Sequence, residues 1–324
     1  MSENTDSCLE IAIPTYNGSE TIGAAIRSLF DSPVTRGLRI TVYDNASTDN
    51  NAGVVASLQA EYPNLRLIRG TENIGFDGNI RRCIEGATAD YVWFFSDDDL
   101  CPPSGVDRVY NALVAQQPKV LYLNHHVMSD PLNPFAGKPL NQLGDRVYTD
   151  AKAYLAVCGL GFISTLVLKR TAVLPYVDRI KLGPGHAHLD VAVRMVLDGE
   201  GPYMSLGDLS ISARPVLRYD GLRSAFVNVG LFYEGLEREG YISREELTAK
   251  VRGIVGRAFI STVLRQLAKD RTGVRTMLAE FAEVGRLAGW RWRLARCVSV
   301  LPAWVPRSLM ALNAVWKKWR GAGK

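Results

Sequence analysis

Three consecutive carboxylates, Asp97, Asp98 and Asp99, follow the apolar residues 91–95 after a single serine, Ser96. Such a run of apolar and aromatic residues is typical of a strand buried on both faces. Dense negative charge beside a core is costly unless a cation or hydrogen-bond donors neutralise it, and the open end of a parallel strand is where α/β sheets hold ligands. We therefore expect a divalent metal that bridges the protein to a phosphorylated ligand; the alternative is a solvated acidic loop.

The elements that must position these carboxylates alternate along the N-terminal half. The patterns predict strands at residues 9–13, 38–43, 65–68, 91–97 and 120–124, and helices at about 19–30, 48–61, 78–85 and 106–115. This alternation is typical of an α/β protein with a mostly parallel sheet flanked by helices. Polar residues 14–17, 44–45 and 97–99 then follow strand ends at one edge of the sheet.

Two familiar phosphate-binding patterns are missing. No G-x-G-x-x-G follows the first predicted strand, which argues against a dinucleotide-binding Rossmann domain. No G-x-x-x-x-G-K-[ST] occurs either, which argues against a P-loop NTPase.

Composition indicates a globular protein in a reducing compartment. The 324 residues are 47% hydrophobic and 22% charged, enough for one large domain or two. The five scattered cysteines have no metal-binding or disulfide-like spacing, so we expect free thiols. The polar N-terminus lacks signal-peptide features, and no apolar run approaches the ~18–20 residues that cross a bilayer. A cytoplasmic protein is predicted.

Four motifs together resemble the inverting family 2 glycosyltransferases. They are I-P-T-Y-N at 13–17, V-Y-D-N-A-S-T-D at 42–49, N-I-G-F at 73–76 and S-D-D-D-L at 96–100. The resemblance covers about residues 9–105 and implies a GT-A fold, a nucleotide-sugar donor and Mg²⁺ or Mn²⁺. The longer segment N-I-G-F-D-G-N is similar to that of a subset of this family that acts in bacterial surface-polysaccharide assembly. It departs from the general pattern, in which N-x-G is followed by A-R-N, although Arg81 and Arg82 lie near the place of that arginine.

The resemblance assigns the nucleotide contacts. Asp44 is expected to accept the imide N–H of a uracil or thymine ring, so the expected donor is a UDP- or dTDP-sugar; the alternative is an Asx-turn. The other residues expected beside the nucleotide come from the first and third loops: Pro14, Thr15, Tyr16, Asn17, Asn73 and Gly75. Tyr16 is alternatively a core aromatic, and Gly75 alternatively a simple turn residue.

The acidic triplet and a later segment are expected to supply metal ligands and a base. The resemblance places Asp97 on the ribose or metal side and Asp99 as a direct metal ligand, while Asp98 contacts the donor or caps the next helix. Asp190, about ninety residues further on, lies where family members place their catalytic Asp. Its alternative role is to cap the helix predicted over 191–197. His188 is the rival base, or a further metal or acceptor contact.

The remaining histidines have weaker roles. His186 and His188 would point in opposite directions on a strand, and exposed loop histidines are the alternative. The pair His125-His126 follows the fifth predicted strand and is expected to line the acceptor side.

The C-terminal tail is basic and amphipathic. Residues 286–324 contain nine basic and no acidic residues, although the whole chain is only +5. Two apolar stripes at helical spacing lie among these cations: Trp290, Leu294, Val298 and Leu301, and then Val305, Leu309, Leu312, Trp316 and Trp319. An anionic membrane surface is the first expectation, packing on the core the second and nucleic acid a distant third.

These observations predict a catalytic domain at 1–219 and, at 220–324, a helical C-terminal region with membrane-associating helices. The expected function is transfer of a sugar, with inversion, to a glycan or polyprenyl-linked acceptor, at the inner face of the cell membrane. One alternative is a sugar-phosphate nucleotidyltransferase, which normally needs a basic loop near the first strand; residues 11–17 contain no Lys or Arg. The other alternative is a non-catalytic sugar-nucleotide-binding protein.

Overall fold

The computed structural model describes residues 8–158, 161–181, 183, 185–214 and 223–300. The chain divides into two compact units, Met1–Val216 and Leu217–Lys324. The strands of the first unit are β1 (Leu9–Thr15), β2 (Arg39–Asp44), β3 (Leu65–Arg69), β4 (Tyr91–Phe94), β5 (Val120–Val127), β6 (Arg146–Tyr148), β7 (Leu166–Lys169) and β8 (Tyr203–Ala213). Its helices are α1 (Ile22–Phe30), α2 (Asn51–Gln59), α3 (Gly75–Gly86), α4 (Gly105–Gln116), α5 (Ala151–Val157), α6 (Arg170–Val173) and α7 (Ala187–Asp198).

The strands form one mixed sheet in the order β3-β2-β1-β4-β7-β5-β8-β6. Strands β1 to β4 are mutually parallel, and β8 is parallel to β5. The short strand β7 is antiparallel to both β4 and β5, and β6 is antiparallel to β8. The predicted α/β class, with a mostly parallel N-terminal sheet, is confirmed.

The order of the first four strands reverses beside β1. The chain moves outward from β1 to β2 and β3, and then returns to place β4 on the other side of β1. Ligands of α/β sheets bind at such a reversal, beyond the carboxyl ends of the strands. Backbone pairing of β1 with β4 ends at Ala12 and Phe94, whereas pairing of β1 with β2 continues to Thr15 and Asp44. Beyond Ala12, therefore, side chains can connect β1 to the acidic triplet.

The core explains why β4 is entirely apolar. Residues 91–95 are all buried, because β4 is a central strand between β1 and β7. Trp93 and Phe95 belong to the same cluster as Ile22, Ile26 and Leu29 of α1. The acidic triplet therefore starts directly at the end of the core.

Several predicted boundaries were wrong. Strand β1 includes Pro14, which was expected to end it; proline fits because the β1–β4 ladder has already ended. Helix α2 begins at Asn51 rather than directly after Thr48 and Asp49. The Asp49 carboxylate accepts from the Asn51 backbone N–H at 3.1 Å and from the Ser19 backbone N–H at 2.9 Å. Helix α7 begins at Ala187, so Asp190 lies in its first turn rather than at the cap position.

The second unit is helical, as predicted. Its helices are α8 (Val229–Arg238), α9 (Arg244–Ile254), α10 (Arg257–Leu267), α11 (Arg271–Glu280), α12 (Ala282–Gly285) and α13 (Trp290–Val300). They enclose a core in which the buried Trp292 makes an edge contact with Phe281, with ring centroids 5.3 Å apart.

The apolar stripe predicted on α13 does not form one face. Val298 is only 5% exposed and packs in the core, whereas Trp290 and Leu294 are 65% and 40% exposed. A helix turns 100° per residue, so positions four apart drift around the axis, and the core takes Trp292 and Ala295 together with Val298. Leu301, Val305, Leu309, Leu312, Trp316 and Trp319 lie outside the described residues. Of the helices within the described ranges, none has the length and apolarity that a membrane span requires.

Candidate active site

Asp44 ends β2 beside Thr15, the last residue of β1. Its buried carboxylate caps the following turn, which was the alternative to ligand binding, although through residue i+3 rather than as an Asx-turn: Oδ1 accepts from the backbone N–H of Ser47 at 3.1 Å and also from the Ser47 hydroxyl. The amide of Asn51 lies 3.5 Å from the same oxygen. One carboxylate oxygen of Asp44 is therefore used within the protein.

The other oxygen of Asp44 keeps its capacity to accept a hydrogen bond. Oδ2 lies 3.3 Å from Arg69 Nε, but the pair is not aligned as a hydrogen bond, and Oδ2 is buried without one. The Arg69 side chain covers this oxygen while being 54% exposed, and its Nη2 donates to the Ser47 carbonyl at 2.8 Å. An exposed cation therefore lies next to this unbonded acceptor oxygen.

Thr15 connects the end of β1 to the acidic triplet. Its hydroxyl donates to Asp97 Oδ2 at 2.5 Å and lies 3.4 Å from Asn51 Oδ1. Since Asn51 also contacts Asp44, the side chains of Asp44, Asn51, Thr15 and Asp97 form one continuous polar cluster. A Cβ at Gly18 would lie 2.3 Å from Asp97 Oδ2, so only glycine fits beside this carboxylate. The residues expected at one sheet edge are therefore in one network.

The other two carboxylates of the triplet have different environments. Asp98 is partly exposed and accepts from the Ser96 hydroxyl at 2.6 Å; it does not cap α4, which begins at Gly105 without a side-chain cap. Asp99 is buried, and its Oδ2 accepts from the Ser164 hydroxyl at 2.5 Å. The same Ser164 oxygen accepts from the backbone N–H of Ser96 at 2.8 Å. Ser164 was not predicted, since nothing in its local sequence marks it.

The oxygen donors of the triplet fit a hard divalent cation. Burial, followed by the charge of Asp98, raises the pKa of Asp99 to about 8, which shows how strongly this carboxyl needs a compensating positive charge. No three His, Cys, Asp or Glu side chains among the described residues are grouped as a complete metal site. Mg²⁺ and similar ions are usually held by one or two carboxylates together with substrate phosphates, so Asp97 and Asp99 are the residues of the triplet that could hold such an ion.

The loops after β1 and β2 are tied together by Asn17. Its side-chain oxygen accepts from the backbone N–H of Thr48 at 2.8 Å, and its own backbone N–H donates to the Ser47 hydroxyl at 2.9 Å. Tyr16 is exposed beside it, so the alternative of a core aromatic is excluded. Asn17 is thus a bridge between loops, and Tyr16 is the ring of this loop that a ligand can reach.

The loop after β3 is held by Asn45, which sequence reasoning did not select. The buried Asn45 amide donates to Asn73 Oδ1 at 2.8 Å and to the Gly75 carbonyl at 3.1 Å, and Asn45 Oδ1 accepts from the Ile74 N–H at 3.1 Å. Its position directly after Asp44 was the available signal. Asn73 and Gly75 are therefore fixed next to the end of β2.

The two arginines of α3 point to different places. Arg82 donates to the Asp44 carbonyl at 2.9 Å and so supports the end of β2. Arg81 instead forms ion pairs at 2.8 Å with Glu85 and with Asp178. Only Arg82 therefore lies against the predicted nucleotide side.

Asp190 lies in the first turn of α7. Its Oδ1 accepts from Arg194 Nε at 2.8 Å, one helical turn away, and the two side chains are 13% and 5% exposed. The buried arginine fixes the orientation of a carboxylate that remains partly accessible.

His188 is more deeply enclosed than Asp190. Its Nε2 lies 3.1 Å from the Gly161 carbonyl, and its Nδ1 is buried without a hydrogen bond. Burial lowers the pKa of His188 to about 4, so the ring is neutral near pH 7. Gly161 and Ser164 belong to one short segment, so the start of α7 and the acidic triplet contact the same part of the chain.

The two residues of the pair His125-His126 differ in whether they could contact an acceptor. His126 is buried with both ring nitrogens bonded, Nδ1 to Ser210 Oγ at 2.9 Å and Nε2 to the Pro134 carbonyl at 2.8 Å, so the expectation was wrong for this ring. His125 stacks on Phe162 with ring centroids 4.4 Å apart.

Known proteins resemble this chain in sequence and in fold. Residues 10–156 match the family described as glycosyl transferase family 2. This match spans all four motifs and confirms the resemblance inferred from them.

The curated relatives match over a short stretch. The uncharacterized glycosyltransferase YibD of Escherichia coli (strain K12) is 32% identical over 101 residues, which is 31% of this chain and 29% of YibD. The matched part spans about a third of the length of the curated relatives.

Solved structures resemble the chain over most of its length. S. aureus TarS (residues 1–349) in complex with UDP-GlcNAc has a TM-score of 0.60 and 12% identity, with 90% of both chains covered. The mannosyltransferase PcManGT from Pyrobaculum calidifontis, in complex with GDP-Man and Mn²⁺, has a TM-score of 0.54 and 17% identity over 96% of this chain and 88% of its own. At these identities the likeness establishes the fold, which is of the GT-A type.

Proposed function

We propose that the chain is a metal-dependent, inverting glycosyltransferase that moves a sugar from a nucleotide sugar to a glycan or lipid-linked acceptor. One observation carries the proposal: the polar cluster of Asp44, Asn51, Thr15 and Asp97 at the carboxyl ends of β1, β2 and β4. This cluster connects a buried acceptor oxygen with the acidic triplet, which supports a single site for both. The family 2 match over residues 10–156 supports the same reaction class.

Donor recognition would begin at Asp44. Its unbonded Oδ2 has the chemistry to accept a ring N–H of uracil or thymine once Arg69 turns outward, which is why a UDP- or dTDP-sugar is the proposed donor. The exposed Tyr16 would lie along the base and ribose, and the loop containing Asn73 and Gly75 would close the other side. The nucleotide-sugar complexes of TarS and PcManGT support this class of ligand.

Asp97 and Asp99 would hold the cation. A bound Mg²⁺ or Mn²⁺ supplies Lewis-acid stabilisation of the charge on the departing nucleoside diphosphate. The protein's part is to fix the carboxylates, Asp97 through the Thr15 hydroxyl and Asp99 through the Ser164 hydroxyl. The Mn²⁺ in the PcManGT complex supports a divalent ion at this site.

Asp190 is the proposed base for the acceptor hydroxyl. A general base must lie within hydrogen-bond reach of the proton that it removes, and Asp190 retains partial access while Arg194 holds its orientation. His188 remains the rival, but an acceptor could reach its buried Nδ1 only by entering the protein interior. His188 is therefore better suited to supporting the loop than to proton transfer.

A membrane surface is the proposed location of the acceptor. Trp290 and Leu294 are exposed on α13 beside the exposed cations Arg293 and Arg296. Apolar side chains interleaved with cations bind anionic bilayers, with about 1 kcal/mol from each basic residue near the surface. We assign the catalytic domain to 1–219 and membrane docking at the inner face of the cell membrane to 220–324.

The reaction is tested with a panel of donors. Purified protein is mixed with UDP-glucose, UDP-GlcNAc, a dTDP-sugar or GDP-mannose, with Mn²⁺ or with EDTA, and thermal midpoint and nucleoside diphosphate release are measured. We expect one donor to stabilise the protein and to be turned over only with metal, and Asp97→Asn to lose both effects. Asp130→Asn, which removes an exposed carboxylate that accepts only locally from Leu132, is the charge-matched control.

Four results would count against parts of this proposal. No response to any donor would refute it. Equal response in EDTA would refute the metal role. Metal-dependent binding without turnover, with an extract of membrane glycans supplied as acceptor, would favour the non-catalytic alternative, whereas pyrophosphate release from a nucleoside triphosphate and a sugar phosphate would favour the nucleotidyltransferase.

The membrane proposal is tested by co-sedimentation. Full-length protein should bind vesicles of phosphatidylglycerol and phosphatidylethanolamine, and high salt should weaken the binding without abolishing it, because Trp burial is not screened. Replacing Trp290 and Leu294 with Ser should lower binding, whereas Leu132→Ser, a change at an even more exposed apolar position of the first unit, should not. Equal binding of both variants would contradict the proposal.

A further inference from the structure

A single buried carboxylate, Asp77, accepts hydrogen bonds from three backbone N–H groups of the distant segment 183–187. Asp77 lies in the first turn of α3 and is 2% exposed. Its Oδ2 accepts from Gly183 at 2.9 Å and from Gly185 at 2.7 Å, and its Oδ1 accepts from Ala187 at 2.8 Å. Hydrogen bonds to an ionised acceptor are the strong ones, so this contact is a tight anchor.

The loop has the backbone that this contact requires. Gly183 and Gly185 have φ of +113° and +75°, which lets N–H groups at alternate positions converge on one oxygen. Ala187 is the first residue of α7, whose leading N–H groups have no partner within the helix. A carboxylate supplied by another helix satisfies such a group and is favoured by the helix dipole.

Asp77 connects two parts of the proposed active site. On one side, α3 begins at Gly75, in the loop that Asn45 fixes next to the end of β2. On the other side, the anchored Ala187 precedes Asp190 in the same first turn of α7. The position of Asp190 relative to the nucleotide loop is therefore set by contacts of Asp77.

We propose that Asp77 is a positioning residue that holds the proposed base, Asp190, in register with the bound donor. This inference rests on the proposed function of the site. Displacing a catalytic group by about 1 Å can cost on the order of 100-fold in rate. The hydrogen bonds that Asp77 accepts come from residues 183–187 and not from the proposed donor-binding residues. Loss of these bonds should therefore lower kcat while leaving the affinity for the nucleotide sugar unchanged.

The central variant is Asp77→Asn. It keeps the size of the side chain but replaces one acceptor oxygen with an N–H₂ group, which cannot accept from the loop. The matched control is Asp107→Asn: Asp107 also lies in the first turn of a helix, α4, and its Oδ1 accepts a backbone N–H of a distant loop, that of Val34, at 3.2 Å. A second variant, Gly185→Ala, strains the loop through its positive φ although its Cβ would meet no other atom within 4 Å.

Two measurements separate positioning from simple stabilisation. In hydrogen–deuterium exchange, peptides that contain residues 183–190 should exchange about tenfold faster or more in Asp77→Asn than in wild type, from the loss of charge-assisted bonds. With Mn²⁺ and the donor found active in the panel, kcat should fall on the order of 100-fold, while the KM for the donor changes less than about twofold. Gly185→Ala should lower kcat in the same way, and Asp107→Asn should change neither quantity.

The outcomes distinguish this inference from the reaction on which it rests. Wild-type protein that releases no nucleoside diphosphate from any donor would refute the proposed reaction, and this inference with it. If the wild-type protein is active and Asp77→Asn has the same kcat, the inference is overturned but the proposed reaction is not. If Asp77→Asn does not fold, unchanged kcat in a folded Gly185→Ala variant would overturn it equally. Equal losses of kcat in Asp77→Asn and Asp107→Asn would show a general loss of stability instead.

Discussion

Replacing Ser164 should distinguish a loss of metal affinity from a general loss of fold stability. Its buried hydroxyl donates to Asp99 and accepts from the backbone N–H of Ser96, so it joins the predicted metal ligand to the strand end. Ser164→Ala removes both bonds without adding volume. Asp99 would then lose the group that orients it and that favours its ionised form.

The expected magnitude follows from these two bonds. A hydrogen bond to a charged group contributes about 1.5–3 kcal/mol, which corresponds to roughly 10–100-fold in affinity. Loss of a partner that orients a metal ligand typically lowers metal affinity by the same 10–100-fold. The Ser96 N–H, left without its acceptor, should destabilise the fold by a further ~1–2 kcal/mol.

The assay is Mn²⁺ binding in the presence of UDP, followed by calorimetry or by the electron paramagnetic resonance signal of free Mn²⁺. Thr165→Ala is the matched control, because the neighbouring Thr165 is equally buried and donates to the Phe162 carbonyl at 2.6 Å. Both variants should lose stability, but only Ser164→Ala should lose metal affinity. Wild-type affinity in Ser164→Ala, or an equal loss in Thr165→Ala, would refute the reasoning.

Three further predictions concern the carboxylates and a partly buried histidine. Asp99→Asn should abolish metal-stimulated turnover in a folded protein, and near-normal activity of that variant in saturating EDTA would contradict the metal role. Asp190→Asn should bind donor normally yet lose transfer, measured as kcat at saturating donor; a loss confined to donor affinity would move the base role to His188. Burial, and secondarily His126, lower the pKa of His125 from 6.5 to about 4. The unfolded chain therefore takes up this proton first, and the free energy of unfolding should fall by roughly 3 kcal/mol as pH drops from 6.5 to 4. His125→Phe, which keeps a ring against Phe162, should flatten this dependence in urea titrations.

Local patterns were sufficient to predict where the polar loops fall. The apolar run before Asp97 and the Asp44-Asn45 pair both mark the ends of strands. Such ends can be predicted because hydrophobic spacing and the polar residues that interrupt it are local properties of the sequence. Parallel strands with intervening helices then bring these ends to one edge. The fold class and the convergence of Asp44 with Asp97 could therefore be derived before any coordinates.

The contacts that hold the site in place could not be derived in this way. Ser164 reaches Asp99 across 65 residues, and Gly183 reaches Asp77 across 106. Neither serine nor glycine has a local signal for such a partner, and Asp77 resembled an ordinary helix-start residue. The four-residue strand β7 was missed as well, since its place between β4 and β5 depends on strand order rather than on its own sequence.

The position of β7 also limits how the catalytic unit can be shortened. The family match ends at residue 156, before β7 and β8 have been made. A fragment that ends there would leave β4 and β5 without the strand that separates them, and each would present an open row of backbone groups to solvent. Open edges of this kind pair with other chains. The shortest fragment that expresses as a monomer should therefore extend at least to Ala213, the end of β8.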